Sequence, residues 1–414
     1  MGSYRLIPPI FHHSLLWPLG IVLAAILGCQ PTPSETLDIG LIAPLSGDSV
    51  GVGESTEQGA RLAVDEINQA GGILISGQSH PINLVIEDNQ DEVDIAVEKA
   101  RKLIFQDEVI AIIGPQLSRN AIPVAKFVET YKVPMISPRS TNPAPTASKR
   151  YVFRSIFIDP FQGQVMAEFA RQQLQAQRAA VLFDVASAYN RDIAQVFKQV
   201  FEQSGGQVVA FESYTTGTQD YSTQISVIQQ SNPDVLFLPN YDHELPQQIQ
   251  QLRAAGIEAQ LLGSDAWGGL VDIQPALTEG AFFSDQYAPD SQSPKVRQFI
   301  DAYEAAYGVS PDSVAASTYD TVYILQQAIL KADQTEPEAI RDSLASLGNY
   351  NGVTGSFTFR GTGDPVRSVM ILQFHNGRPI FYDQVDPNPS PTSPTPQSSN
   401  LLSIFASKLP TTAW

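Results

Sequence analysis

A serine flanked by glycines, Gly47-Asp48-Ser49-Val50-Gly51, matches the G-x-S-x-G pattern of a hydrolase nucleophile elbow. That chemistry requires a tight strand-to-helix turn at the serine. Here an apolar strand ends near Ala43 and the next helical stretch is expected several residues after Ser49, so the segment reads as a flexible glycine-rich loop. Gly51, Gly53 and Gly59 fail the G-x-G-x-x-G spacing because position 56 is Thr, and no G-x-x-x-x-G-K-[ST] loop occurs, so no nucleotide cofactor is expected. Beyond residue 28 the histidines are His80, His243 and His375, widely separated and read as surface residues, and Cys29 is the sole cysteine. A transition-metal site and an internal disulfide are therefore not expected. The acidic run Glu87-Asp88-Asn89-Gln90-Asp91-Glu92 reads as a solvated strand end rather than a calcium site. No enzymatic activity, cofactor or metal follows from these residues.

Two other segments have the chemistry of a binding cleft. Ile112-Ile113-Gly114-Pro115-Gln116-Leu117-Ser118 ends a strand and leads into a helix with Ser118 expected at its N-cap, where a hydroxyl beside free backbone N–H groups suits a carboxylate. Beyond the next strand, Ile136-Ser137-Pro138-Arg139-Ser140-Thr141-Asn142-Pro143 supplies a second loop whose hydroxyls could converge on the same point.

The elements that must position these loops alternate apolar runs with amphipathic helical stretches, the pattern of βα units on a parallel sheet. The expected fold class is α/β. Strands are predicted over 38–43, 82–87, 109–114, 134–137 and 151–154, then in a second series over 179–184, 207–211, 234–238, 260–263 and 281–283. Helices are predicted over 57–69, 161–175, 191–204, 245–255, 294–307 and 313–331. The first stops at Gly71-Gly72, as a helix C-terminus should. Two successive series suggest two lobes, and a ligand is expected in the crevice between them, at strand C-terminal ends.

Composition agrees. The chain has 414 residues, 43% hydrophobic and 16% charged, enough for more than one domain of a soluble protein. Its net charge of −18 would repel phosphate-rich partners, so nucleic-acid binding is not expected. Arg5, the apolar run Leu15–Leu27 and Gly28-Cys29 form a secretory signal too short to span a bilayer comfortably. Ile26-Leu27-Gly28-Cys29 resembles the bacterial lipobox, with cleavage after residue 28 and lipidation of Cys29. Residues 29–36 read as a tether, and 386–414 as a Pro/Ser/Thr-rich disordered tail.

Several separated motifs, IGLIAPLSGDSVGVGESTEQGARLAVDEINQAGG, IIGPQLS, MISPRSTNP and YVFRS, resemble the leucine/isoleucine/valine-binding protein family in order and spacing. The likeness covers roughly residues 37–385. It implies a type I periplasmic-binding-protein fold: two Rossmann-like lobes joined by three crossovers, here 37–156 plus 288–362 and 157–287 plus 363–385. The implied function is that of a lipid-anchored, extracytoplasmic and monomeric receptor that closes on a small neutral or branched-chain amino acid and delivers it to an ABC permease. The alternatives are a binder of urea, a short amide or another small polar solute, or a ligand sensor of the same fold. Under the resemblance Ser118 and Thr141 take the ligand carboxylate, and Arg139 presents its backbone. Tyr189 and Tyr241 cover the ligand, and Asp265 holds its ammonium. Val52 stands where a large aromatic is common in branched-chain binders, and Asp265 is one methylene shorter than the usual glutamate. Trp267 fits either the pocket or the core.

Overall fold

The computed structural model describes residues 1–4, 6, 35–270 and 275–387. The leader with Cys29, the tether up to residue 34 and the tail from residue 388 lie outside them. Met1–Ser34 is a unit separate from Glu35–Trp414, and the account below concerns the second.

The chain runs β1 (Leu37–Ala43), α1 (Val50–Gln69), β2 (Ile73–Ile75), β3 (Gln78–His80), β4 (Ile82–Asp88), α2 (Val93–Phe105), β5 (Ala111–Ile113), α3 (Ser118–Tyr131), β6 (Met135–Ser137) and β7 (Val152–Arg154). A second series follows: α4 (Asp159–Gln172), β8 (Arg178–Asp184), α5 (Ala188–Gln203), β9 (Gln207–Tyr214), α6 (Ser222–Ser231), β10 (Val235–Leu238), α7 (Leu245–Ala254), β11 (Gln260–Gly263), α8 (Pro275–Thr278) and β12 (Phe282–Asp285). The remainder is α9 (Pro294–Tyr307), α10 (Ser313–Ala332), α11 (Pro337–Ala345), β13 (Tyr350–Gly352), β14 (Gly355–Phe359), β15 (Pro365–Arg367), β16 (Val369–His375) and β17 (Arg378–Val385).

The first sheet has the order β4-β1-β5-β6-β7 and is wholly parallel. Its interior strand β1, LDIGLIA, is buried on both faces, which is why it reads as a nearly continuous apolar run rather than an alternation. On one face Leu41 packs with Ala63, Val64 and Ile67 of α1 and with Leu325 and Ile329 of α10. On the other, Ile42 meets Ala100 and Leu103 of α2 and Ala121 and Val124 of α3. The second sheet, β17-β16-β12-β11-β10-β8-β9, is parallel from β12 to β9, with β16 and β17 added antiparallel. It too is covered on both faces, by α6 and α7 around Leu236 and Ile249 and by α4 and α5 around Phe169, Phe197 and Phe237. Each lobe is thus a sheet between helical layers. The chain crosses between lobes three times: from β7 to α4, from β12 to α9, and from β15 to β16.

Two departures from the sequence reading are local. Helix α1 begins at Val50, directly after Ser49, not near residue 57. The short strands β13–β15, which form an antiparallel sheet, the β2–β3 hairpin and the antiparallel β16–β17 pair at the edge of the second sheet were not anticipated.

Candidate ligand-binding site

Each sheet reverses its strand order at one place, between β1 and β5 in the first and between β8 and β10 in the second. Loops leaving the C-terminal ends of strands on either side of such a point open a crevice. Ser118 follows β5, Arg139 and Thr141 follow β6, Tyr189 follows β8, Tyr241 follows β10, and Asp265 follows β11. All six line one cavity, together with Val52, Gln116, Leu117, Asp242 and Ala266. Leu117, Tyr189, Tyr241 and Ala266 also form a small apolar cluster of their own, with contributions from both lobes. The cavity measures about 20 Å3, room for about one water.

From the first lobe, Ser118 is the first residue of α3 rather than its N-cap, which is Leu117. Its hydroxyl lies 2.9 Å from that of Ser140 and accepts from the Asn142 N–H at 3.3 Å. Thr141 is fully buried, and its Oγ1 has no hydrogen-bond partner among the described residues. The Arg139 guanidinium, not merely its backbone, enters the site. Its Nη2 donates to the Asp265 carbonyl at 2.8 Å and lies 3.4 Å from Oδ2. Burial disfavours the Arg139 charge, but the carboxylates of Asp265, Asp285, Asp242 and Asp312 outweigh it and raise the guanidinium above its ordinary pKa.

From the second lobe, Asp265 opens a single 3-10 turn, Asp265–Gly269. Its Oδ1 accepts from Tyr189 Oη at 2.8 Å and from Gln162 Nε2 at 3.0 Å. The Tyr189 ring stacks on Tyr241 with centroids 5.0 Å apart. Tyr241 is 5% exposed and its hydroxyl has no partner among the described residues. Arg119, paired with Asp91 at 2.9 Å, lies 5.0 Å from the Tyr241 ring centroid, in cation–π contact. Trp267 is core: it is fully buried and its Nε1 donates to the Leu238 carbonyl.

Asp159 and Gln162 of α4 complete the network and were not singled out in the sequence. Gln162 Nε2 donates to Asp159 Oδ1 at 2.8 Å as well as to Asp265. Burial pushes the Asp159 carboxyl up to about 8, with the Asp265 charge adding to the effect against Thr141, Gln162 and Arg154. The only sequence signal was an acid at the first turn of α4.

Among the described residues the cavity lining holds no histidine or cysteine. Ser49, the elbow candidate, is buried elsewhere and donates to Asp91 Oδ2 at 2.6 Å. Of the acidic run, Glu87 pairs with Lys99 and Lys102, and Asp88 accepts from Ser46 and the Leu45 N–H. What the cavity offers is a pair of unpartnered hydroxyls, a carboxylate, a guanidinium and two stacked rings, which is equipment for holding a small dipolar molecule.

Residues 36–379 match the family model described as periplasmic binding protein. The leucine-, isoleucine-, valine-, threonine-, and alanine-binding protein of Pseudomonas aeruginosa is 27% identical over 80% of this chain and 87% of its own length. A leucine-binding protein of Thermotoga maritima superposes with a TM-score of 0.79 at 31% identity, over 85% of this chain and 99% of the other. The branched-chain amino acid transporter substrate-binding protein of Streptococcus pneumoniae, solved with isoleucine, gives a TM-score of 0.79 at 29% identity over 85% of this chain and all of its own. These relatives are solute-binding proteins, not enzymes.

Proposed function

The chain belongs to the periplasmic binding protein family, and from that premise we propose that it captures a free amino acid between two closing lobes and hands it to the permease of an ABC importer. Ser118 and Thr141 receive the ligand carboxylate, Asp265 receives its ammonium, and Tyr189 and Tyr241 cover what lies between. Arg139 acts through Asp265, holding that carboxylate in place until the ammonium competes for it. The bodies that move are residues 37–156 plus 288–362 and residues 157–287 plus 363–385. Export depends on the N-terminal signal, and Cys29 carries the lipid anchor.

One observation carries this reading. Six residues drawn from loops of both sheets converge on one buried cavity in which the Thr141 and Tyr241 hydroxyls have no partner. A cavity of about 20 Å3 cannot admit an amino acid, so the lobes must part for entry. The 3.4 Å contact between Arg139 and Asp265 is the longest in the network and the one expected to yield.

The test is calorimetric titration of the purified chain with the common amino acids and urea, with small-angle scattering at saturation. Binding of at least one amino acid with a decrease in radius of gyration is expected. Binding of urea alone would replace the amino-acid reading. The mass of the membrane-extracted protein reports the anchor, which is refuted if the product carries no lipid.

A further inference from the structure

Beside the small cavity lies a chamber of about 480 Å3. The two share Val52 of α1 and Asp242 after β10, so the larger space adjoins the small cavity at these two side chains. The chamber is acidic. Asp48, Glu54, Asp242 and Asp312 line it, and its one basic lining residue, His243, sits 3.8 Å from Asp242. Tyr303 and Tyr307 form part of the wall with ring centroids 4.8 Å apart, adding aromatic faces of the kind that attract cations.

An aliphatic side chain entering this space would displace the hydration of four carboxylates and offer them nothing. A side chain ending in a positive charge would be attracted by Asp48 and Glu54 at the exposed side and by Asp242 and Asp312, which also act on the Arg139 guanidinium. We propose that the solute is a basic amino acid, with its α-carboxylate and α-ammonium in the small cavity and a long side chain passing Val52 to place an ammonium or guanidinium group in the acidic chamber. This rests on the amino-acid reading above and narrows it.

The experiment compares lysine, norleucine and alanine by calorimetry on the purified full-length chain. Norleucine has lysine's four-carbon side chain without the terminal charge, and alanine reports the small cavity alone. Lysine should bind about tenfold more tightly than norleucine at low ionic strength, equivalent to ~1.4 kcal/mol. That preference should shrink at about 1 M salt, where the Debye length falls to about 3 Å. In the double variant Asp48→Asn/Glu54→Gln, both positions being exposed, the lysine-to-alanine affinity ratio should drop about threefold or more. Norleucine binding as tightly as lysine, or a preference untouched by both salt and the double variant, overturns the proposal while leaving the amino-acid reading intact. If none of the three binds, the basic-amino-acid proposal falls, and the amino-acid reading falls with it only if the remaining common amino acids also fail to bind.

Discussion

Arg154 and Arg139 are both buried guanidinium groups, and their surroundings differ in kind. Arg154 sits where the chain leaves β7, with every nitrogen engaged. Its Nε donates to Asp364 and its Nη2 to Thr146, each at 2.7 Å, and its Nη1 donates to the Ser140 carbonyl. Nearby, Asp320 accepts from the Tyr350 hydroxyl and from the N–H groups of Val353 and Thr354. In the cleft, Arg139 reaches the Asp265 carboxylate only at 3.4 Å, and Thr141 Oγ1, Tyr241 Oη and Asp159 Oδ2 have no partner among the described residues. Leaving a buried polar group unsatisfied costs about 1–3 kcal/mol. The difference is that Arg154 is held by the fold on every nitrogen, whereas the cleft keeps polar atoms that face the cavity.

The contrast can be broken at its strongest point first. Arg154→Ala should lower stability by about 3–5 kcal/mol, because it removes the centre of a saturated buried network. Urea denaturation measures it, and a loss under about 1 kcal/mol would mean that the crossing region is no more tightly bound than the cleft. Next is Asp265→Asn, which keeps acceptors for Tyr189 and Gln162 but removes the charge. Amino-acid affinity should fall by roughly 30-fold to several-thousand-fold, corresponding to about 2–5 kcal/mol. The preference for an amino acid over its deaminated analogue should collapse with it, and an unchanged preference would move the ammonium site elsewhere. The mildest and most discriminating change is Thr141→Val. Binding should weaken about fivefold to tenfold, the worth of one hydrogen bond, while stability changes by less than ~1 kcal/mol, because among the described residues that hydroxyl faces only the Asp159 carboxyl and makes no well-formed hydrogen bond. A stability loss above ~1 kcal/mol with binding intact would assign that hydroxyl to the structure and erase the distinction.

The alternation of apolar runs made the two sheets legible in sequence, and the order of separated motifs made the family legible. Local exceptions escaped for physical reasons. Helix α1 was expected near residue 57 because Gly51 and Gly53 are poor helix formers. The structure needs glycine there, since a Cβ on Gly53 would come within 2.0 Å of the Pro44 carbonyl oxygen. Gly59 is held by the same kind of constraint, with a Cβ falling 2.3 Å from the Ala315 oxygen where α1 crosses α10. Strands β13–β15 are three to five residues long, too short to display a period. In the site, Ser118 and the hydroxyls of the 136–143 loop were suggested by their places at strand ends, whereas Arg139, Tyr189, Tyr241 and Asp265 were named only through the family resemblance. The support given to Asp265 by Gln162, 103 positions away, was not legible, because hydrogen bonds across that separation leave no local pattern. The Arg139 side chain was likewise assigned to the background, whereas it is the cation nearest the acid.

Asp159, at about 8, beside the cleft, and Asp285, lifted by burial to about 7 where it contributes to the field on Arg139, give the site a property that a formal charge count misses. The sum of −18 treats every carboxyl as ionised. Near neutrality these two exchange protons instead, so the folded molecule is less negative than its composition says, by up to two charges. The cleft then acts as a charge-regulating capacitor. Positive charge arriving from solution is answered in part by protons leaving, and the field that an incoming solute meets is set by pH as well as by sequence.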